Sequence, residues 1–146
     1  MKNSAKESSE KLKILVAEEN QEACSALEEL LKVLGHSVMV TQDGEDALNM
    51  FHETIPDLVF SGLTLPKLGG MELLREVKSG SGKTLFVMIC PMSDPEKIQQ
   101  ALKKGAADFL TRPIQSRELI RSLDRLVNLK SGFITSPRVN EKTPNP

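Results

Sequence analysis

Four side chains capable of chemistry, and one glycine, stand at the ends of short apolar runs in this sequence. Glu18 and Glu19 follow the first run, Cys90 ends a later one, and Arg112 follows the last. Adjacent carboxylates can bind Mg²⁺, a thiol can act as a nucleophile or metal ligand, and a guanidinium can bind a carboxylate or phosphate. Gly62 ends the middle run and has no side chain, so it cannot be a nucleophile, a general base or a metal ligand.

The apolar runs are typical of strands buried on both faces, and a segment with helical periodicity follows each of them. Asn20, Asp43, Asp94 and Ser116 are predicted to cap helices, and a flexible connector is expected at 79–82. The predicted strands are 13–17, 36–41, 57–62, 84–90 and 108–110, and the last helix is predicted to run to about residue 129.

Strands that alternate with helices predict an α/β fold, in which helices cover both faces of a parallel five-stranded sheet. In such sheets, ligands bind at the carboxyl ends of the strands, near the point where the strand order reverses. We therefore expect one rim of the sheet to carry Glu18, Glu19, Gly62, Cys90 and Arg112.

Length and composition indicate one ordinary globular domain. The 146 residues are 39% hydrophobic and 27% charged, and the formal net charge of -1 gives no general attraction to nucleic acid or anionic membrane. No apolar run approaches the roughly 20 residues that span a bilayer, and the polar N-terminus does not resemble a signal peptide. Two cysteines, Cys24 and Cys90, are too few for a disulfide framework or a zinc cluster. We expect a cytoplasmic domain at 12–129, a flexible arm at 1–11 and a disordered tail at 130–146.

Three segments carry a specific resemblance to a known family. They read Pro-Asp-Leu-Val at 56–59, Leu-Pro-Lys-Leu-Gly-Gly-Met-Glu-Leu-Leu at 65–74 and Lys-Gly-Ala-Ala-Asp-Phe-Leu-Thr-Arg-Pro at 104–113. With these motifs, the chain resembles the receiver domain of two-component response regulators over residues 12–129. The resemblance implies a flavodoxin-like (βα)5 three-layer sandwich with the strand order 2-1-3-4-5.

In that family, an acidic pair after strand 1 binds Mg²⁺ and an aspartate that ends strand 3 accepts a phosphoryl group. A Ser or Thr after strand 4 and a Lys after strand 5 contact that group. The resemblance places Glu18 and Glu19 at the acidic pair and Gly62 at the acceptor. It places Cys90 at the position of the Ser or Thr after strand 4, and Arg112 at the position of the Lys after strand 5. It therefore implies an atypical receiver, or pseudo-receiver, with a degenerate acidic pocket, no catalytic residue and no enzymatic activity.

The first functional hypothesis is a stand-alone pseudo-receiver that acts in two-component signalling or a phosphorelay through protein contacts, without phosphorylation. One alternative is a module that binds a small ligand or metal, in which Glu18 and Glu19 hold Mg²⁺ or the pocket takes a cationic or zwitterionic metabolite. Mg²⁺ is disfavoured because glutamate is longer than aspartate and the third carboxylate is missing. Another alternative is a phosphotransfer receiver with a different acceptor, Ser61 or Thr64.

The pocket is predicted to be held by its own charges. Arg112 is expected to bridge one of the two glutamates, because Gly62 leaves room for its guanidinium. Cys90 is interpreted as a small apolar filler, with a redox or metal-binding thiol as the alternative. The resemblance also suggests a cis peptide bond between Arg112 and Pro113.

A protein partner is expected, such as a signalling kinase or a downstream effector, and no nucleic acid or membrane. The resemblance places the partner surface on helix 4, strand 5 and helix 5, and a homodimer on the same surface is an alternative. His36 and His52 are predicted to be surface residues, and the segment 132–137 is either a docking peptide or part of the disordered tail. The candidate partner residues are Lys97, Gln100, Lys104, Phe109, Arg121 and Arg125.

Overall fold

A computed structural model describes residues 11–91 and 94–131 of the chain. Within these residues, five strands and five helices alternate along the sequence. Most of the predicted arm and tail, including the segment 132–137, lies outside the described residues. The strands are β1 (Lys13–Ala17), β2 (Ser37–Thr41), β3 (Leu58–Gly62), β4 (Leu85–Cys90) and β5 (Asp108–Thr111). The helices are α1 (Gln21–Val33), α2 (Gly44–Thr54), α3 (Gly70–Gly80), α4 (Pro95–Lys103) and α5 (Ser116–Ser131).

The strands form one parallel sheet in the order β2-β1-β3-β4-β5. The first strand lies between the second and the third, so that Leu15 aligns with Met39 on one side and with Val59 on the other. The strand order therefore reverses between β1 and β3, which is the position where such sheets bind ligands. The predicted flavodoxin-like α/β fold is confirmed.

Two clusters of buried apolar side chains lie on opposite faces of the sheet. Neighbouring residues of a strand alternate between them, as Ile14 and Leu15 do in β1. Helices α1 and α5 cover one face, and α2, α3 and α4 cover the other. Burial on both faces explains why the strands read as continuous apolar runs. Among the described residues, no helix has the length and apolar character that crossing a membrane requires.

Three helices begin at the capping residues that the sequence predicts. The side chains of Asn20, Asp43 and Asp94 each accept a hydrogen bond from the amide three residues later, at 2.8, 2.7 and 3.3 Å. Each bond satisfies an N–H group that the first turn of a helix leaves without a partner. These local bonds place the helices that flank the carboxyl ends of the strands.

Both predicted ends of α5 are wrong by one or two residues. Ser116 lies inside the helix, and the carbonyl of Gln115 accepts the N–H group four residues later at 3.0 Å. At the other end, Lys130 belongs to the helix and not to the tail. Its ammonium donates to the carbonyl of Lys83 at 2.7 Å and lies 3.8 Å from an oxygen of Asp57, so tertiary contacts extend the last turn.

Two further predictions need correction. The connector begins later than residue 79, because α3 continues to Gly80. His36 is not a surface residue: it is only 9% exposed, and its Nδ1 accepts the N–H of Leu12 at 3.1 Å. Burial lowers the pKa of His36, which favours the neutral ring that this hydrogen bond requires. His52 is exposed, as predicted.

Candidate functional site

The carboxyl ends of β1, β3, β4 and β5 bring the predicted rim residues together. Gly62 aligns with Ile89 near the end of β4, and the amide of Arg112 donates to the carbonyl of Cys90 at 3.2 Å. Glu18 directly follows β1, which pairs with β3. A parallel sheet places these strand ends at the same edge, so residues distant in sequence line one cleft.

An ion pair between Arg112 and Glu18 lies at the centre of this rim. A guanidinium nitrogen of Arg112 is 2.7 Å from Glu18 Oε1, and Glu18 Oε2 accepts the backbone N–H of Asn20 at 3.0 Å. The Glu18 side chain is 2% exposed and that of Arg112 is 35% exposed, so one end of the pair is shielded from water. The predicted bridge is confirmed for Glu18, whereas Glu19 is exposed. Both oxygens of the buried carboxylate therefore bind donors of this chain.

Arg112 reaches Glu18 through the space beside Gly62. Strands β5 and β1 are not neighbours, because β4 and β3 lie between them. A Cβ atom placed on Gly62 would lie 3.2 Å from the Arg112 guanidinium and 3.4 Å from Glu18 Oε1. The guanidinium therefore occupies the place into which a side chain at residue 62 would project.

Two glycines that the sequence analysis did not identify as site residues hold the loop between β3 and α3. The amide of Gly44 donates to the carbonyl of Pro66 at 3.0 Å, and the amide of Gly70 donates to that of Leu63 at 2.9 Å. A Cβ atom on Gly70 would overlap the carbonyl oxygen of Gly62, and one on Gly44 would overlap the loop backbone. Only glycine permits such close backbone approaches. The available sequence signal was a glycine at the first position of each of these helices.

Cys90 is fully buried and belongs to the apolar cluster between the sheet and α2, α3 and α4. Burial, and to a smaller extent the charge of Asp94, raise the pKa of the Cys90 thiol to about 11, although the charge of Arg112 acts in the opposite direction. A thiol with this pKa stays protonated at neutral pH, and the thiolate is the nucleophilic and metal-binding form. This environment supports the interpretation of Cys90 as an apolar filler.

The two hydroxyl groups near Gly62 lie in different surroundings. Ser61 is fully buried, and its hydroxyl donates to the carbonyl of Gly62 at 2.9 Å. Thr64 is exposed and lines the rim cleft, together with Glu19 and Arg112. The cleft has a volume of about 540 Å³. The peptide bond between Arg112 and Pro113 is cis, as predicted.

The donor set at the rim does not fit Mg²⁺, the ion that the resemblance implies. Mg²⁺ needs an octahedral shell of oxygen ligands. Glu18 already binds Arg112, whose positive charge would repel a cation, and Gly62 supplies no side-chain oxygen. Over residues 11–91 and 94–131, no group of three His, Cys, Asp or Glu side chains is arranged to hold a metal ion.

A comparison with known protein families identifies the family of this chain. A family model described as the response regulator receiver domain matches residues 14–124, which include β2 to β5, all of β1 except its first residue, and part of α5. The chain belongs to the response regulator receiver domain family. Receiver domains are signalling domains of two-component systems, and they are generally not enzymes.

Relatives of this receiver agree with the family match. It is 32% identical over 126 residues to a probable transcriptional regulator, ycf27, of Guillardia theta, and the match covers 84% of this chain and 49% of that protein. The chain thus spans about half the length of that curated relative. A receiver domain protein of Clostridium thermocellum is 26% identical with a TM-score of 0.78, over 84% of this chain and 98% of that one.

A further structural likeness concerns the fold alone. The receiver domain of Ssk1 from Saccharomyces cerevisiae, crystallised with the histidine phosphotransfer protein Ypd1, has a TM-score of 0.78 at 20% identity. That likeness covers 86% of this chain and 95% of the other. The two chains therefore share a fold although their sequences differ widely.

The candidate partner residues of this receiver lie on α4, directly after it at Lys104, on β5 and on α5, but they are not equally accessible. Phe109 is 5% exposed and packs in the apolar cluster below the helices, so its side chain offers little to a partner. Arg125 is half-buried. The exposed members of the set, named the α4–α5 face below, are Lys97, Gln100, Lys104 and Arg121.

Proposed function

We propose that this receiver is a pseudo-receiver, which signals by binding a protein partner and does not accept a phosphoryl group on an aspartate. The observation that supports this proposal is the position of the Arg112 guanidinium, in the space beside Gly62 and bound to Glu18. Receiver domains bind protein partners such as histidine kinases and phosphotransfer proteins. The proposed module keeps that role on a scaffold of the same fold, in the cytoplasm.

The acceptor position lacks the group that the reaction needs. An acyl phosphate forms on a carboxylate, and Gly62 has none. Ser61 is not a substitute, since its hydroxyl is buried and bound to a carbonyl. Thr64 is accessible, but a hydroxyl needs an adjacent base or a lowered pKa to attack a phosphodonor.

The ion pair supplies internally the charges that a metal ion and a phosphoryl group would otherwise bring. A buried carboxylate is costly without a counter-charge, and Arg112 provides one for Glu18. The guanidinium of arginine stays protonated at any physiological pH, so the pair persists without an added ion. We infer that the Arg112–Glu18 pair keeps the rim in a single conformation, and that partner binding does not depend on a conformational change at the rim.

Phosphorylation is the direct test. The protein is incubated with acetyl phosphate and Mg²⁺, and intact mass spectrometry is used to detect an added phosphoryl group. We expect no addition to the wild-type chain. The variant Gly62→Asp, combined with Arg112→Lys, restores an acceptor and a lysine, and a receiver that has all of the family's residues serves as the positive control. A phosphorylated wild-type chain would overturn the proposal, and peptide mapping would then test Thr64 as the acceptor.

The partner surface requires a separate experiment. We expect that Lys97→Glu together with Lys104→Glu abolishes capture of a cognate signalling protein in pull-down assays, because the two substitutions reverse the charge of the α4–α5 face. Lys11→Glu is the matched control, since Lys11 is also an exposed lysine but precedes β1, which β3 and β4 separate from β5. Equal loss with the control would contradict a partner site on this face.

The rim cleft supports a second candidate function. The exposed carboxylate of Glu19 and the half-exposed guanidinium of Arg112 line the same space of about 540 Å³, so a compact zwitterion could contact both. Thermal shift assays with amino acids, small zwitterions and divalent ions test this candidate. Stabilisation that Glu19→Gln removes would favour the ligand site, whereas the pseudo-receiver proposal expects no shift with any of them.

A further inference from the structure

A groove lined by cationic side chains and their aliphatic stems follows α3 towards the turn between α4 and β5. Its volume is about 480 Å³, and its lining consists of Met71, Glu72, Arg75, Lys78, Ser79 and Lys104. This surface, named the α3 groove, shares no lining residue with the rim cleft and one residue, Lys104, with the α4–α5 face. Concave surfaces that combine apolar area with a few convergent polar groups are typical small-molecule sites.

Lys78 is the most constrained cation of the α3 groove. It is half-buried, whereas Arg75 and Lys104 are exposed. Its stem packs over Gly105, where an added Cβ atom would lie 3.3 Å from Lys78 Cγ, and its ammonium donates to the carbonyl of Thr84 at 3.2 Å. A lysine held in this way offers an apolar stem and a charged end to the same space.

The Lys78 ammonium has no counter-charge in the described part of the chain. None of the described carboxylates forms an ion pair with it, and Asp57, which lies near the same edge of the sheet, is 3.8 Å from Lys130. Burial, and to a smaller extent the charge of Lys130, lower the pKa of Lys78. A half-buried cation without a counter-charge is unfavourable, so an anion beside Lys78 would be stabilised there.

The cations gather at one end of the α3 groove. Met71 and Lys78 are separated by about two helical turns, or about 10 Å. The contact between Lys78 and Gly105 places the preceding residue, Lys104, at the Lys78 end as well. Glu72, the carboxylate of the lining, stands beside Met71 at the opposite end. The groove therefore has a cationic end at Lys78 and a partly apolar end at Met71.

We propose that the α3 groove binds a small amphiphilic anion, with its charged head between Lys78 and Lys104 and its apolar tail along α3 towards Met71. A carboxylate or phosphate head matches ammonium and guanidinium donors. Arg75 can turn to the head, because its pair with Glu76 is exposed and long, at 3.6 Å. The carboxylate of Glu72 at the tail end disfavours a ligand with negative charges at both ends. This site goes beyond the proposed function, since it requires neither a phosphoryl acceptor nor a protein partner.

Titration of the ¹⁵N-labelled full-length chain with octanoate, followed by amide chemical shifts, tests the site. We expect saturable shifts confined to α3 and the turn at Gly105, with a dissociation constant on the order of 1 mM. Octyl phosphate distinguishes a phosphate head from a carboxylate head, and saturable binding of either at this place supports the proposal. Butyrate is expected to bind about tenfold more weakly, because its shorter tail buries less apolar surface. Octylammonium has the tail but the wrong charge and is expected not to bind.

Substitutions test the role of the charge of Lys78. Lys78→Met keeps an apolar stem but removes the ammonium, and is expected to weaken octanoate binding by about tenfold or more. Lys83→Met is the matched control, because Lys83 is an exposed lysine that precedes β4 and does not line the groove. Circular dichroism verifies that each variant is folded. Arg75→Met, at an exposed position, is the second test variant and is expected to weaken binding by about threefold.

Three results would overturn the proposal. The first is the absence of saturable shifts with octanoate and octyl phosphate up to about 10 mM. The second is equal binding of octylammonium or of butyrate, which would remove the head or the tail from the recognition. The third is an equal loss of affinity in Lys83→Met and Lys78→Met. Lys78 lies outside the α4–α5 face, so Lys78→Met should still capture a protein partner, and failure of the α3 groove leaves the proposed function intact.

Discussion

At the amino-terminal edge of the sheet, polar side chains bond to backbone groups, whereas at the carboxyl rim two charged side chains bond to each other. At the first edge, Asp57 accepts the N–H of Lys13 at 2.8 Å, and Thr84 donates to the carbonyl of Pro56 at 2.7 Å. At the rim, Arg112 and Glu18 form the ion pair. Bonds to the backbone fix where strands begin and thus maintain the fold. A bond between two side chains can be replaced by substitution without moving a strand, so function can change at the rim while the fold persists.

The largest effect is expected from the backbone contacts that support the rim. Gly70→Ala would drive a methyl group into the carbonyl oxygen of Gly62, and neither backbone segment can move easily. We expect a loss of about 3 kcal/mol in the free energy of unfolding, measured by urea denaturation.

Two other glycines serve as controls for this prediction. Gly62→Ala should cost less than about 1 kcal/mol, because the nearest atom is the end of the flexible Arg112 side chain. Gly82→Ala should be near neutral, since its added Cβ would contact nothing within 4 Å. Equal losses of unfolding free energy for Gly70→Ala and Gly62→Ala would contradict the prediction, because they would mean that the Arg112 side chain at the rim is as rigid as the backbone below it.

The next effect concerns the ion pair, whose two halves are not equivalent. Arg112→Met leaves the buried carboxylate of Glu18 without its counter-charge and should lower the free energy of unfolding by about 2 kcal/mol. The loss is smaller than for a fully buried pair, because Arg112 is partly exposed to solvent. Glu18→Gln leaves a half-exposed guanidinium that water can solvate, and should cost about 1 kcal/mol.

A double-mutant cycle by urea denaturation measures this asymmetry. The variant with both substitutions should be more stable than the sum of the two single losses indicates, because it contains no buried unpaired charge. Additive losses would mean that the two side chains do not interact in solution.

A smaller loss is expected at the amino-terminal edge. Thr84→Val keeps the shape of the buried side chain but leaves the carbonyl of Pro56 without the hydroxyl donor, which should cost about 1 kcal/mol. Hydrogen exchange should also increase at the start of β4 and not at the rim. Faster exchange at the rim instead would contradict the separation between the two edges.

The smallest effect is expected from pH, through His36. Because burial lowers its pKa, the folded chain favours the neutral ring, and its contribution to stability is complete above the ordinary pKa of about 6.5. As the pH falls below that value and through the lowered folded pKa, the unfolded chain binds the proton first and this contribution is lost. Thermal unfolding between about pH 7 and pH 5 should show a decline in wild type that is weaker in His36→Asn, whose amide oxygen can accept the same hydrogen bond.

The sequence was sufficient for most of the fold because the relevant signals are local. Strands buried on both faces read as apolar runs, and Asn20, Asp43 and Asp94 cap helices through bonds to amides three residues away. The errors occur where distant residues intervene. The ammonium of Lys130 reaches the carbonyl of Lys83 and extends α5, and the fold buries His36 against the amide of Leu12.

The sequence by itself determined the scaffold and the composition of the rim, since chain order in a parallel α/β sheet brings the strand ends to one edge. It also established that no carboxylate stands at residue 62. Only the tertiary structure decided that Arg112 pairs with Glu18 and not with Glu19, and that Gly70 must remain glycine. Those outcomes depend on a distance across two intervening strands, β3 and β4, and on a close approach of two backbone segments, neither of which a local pattern encodes.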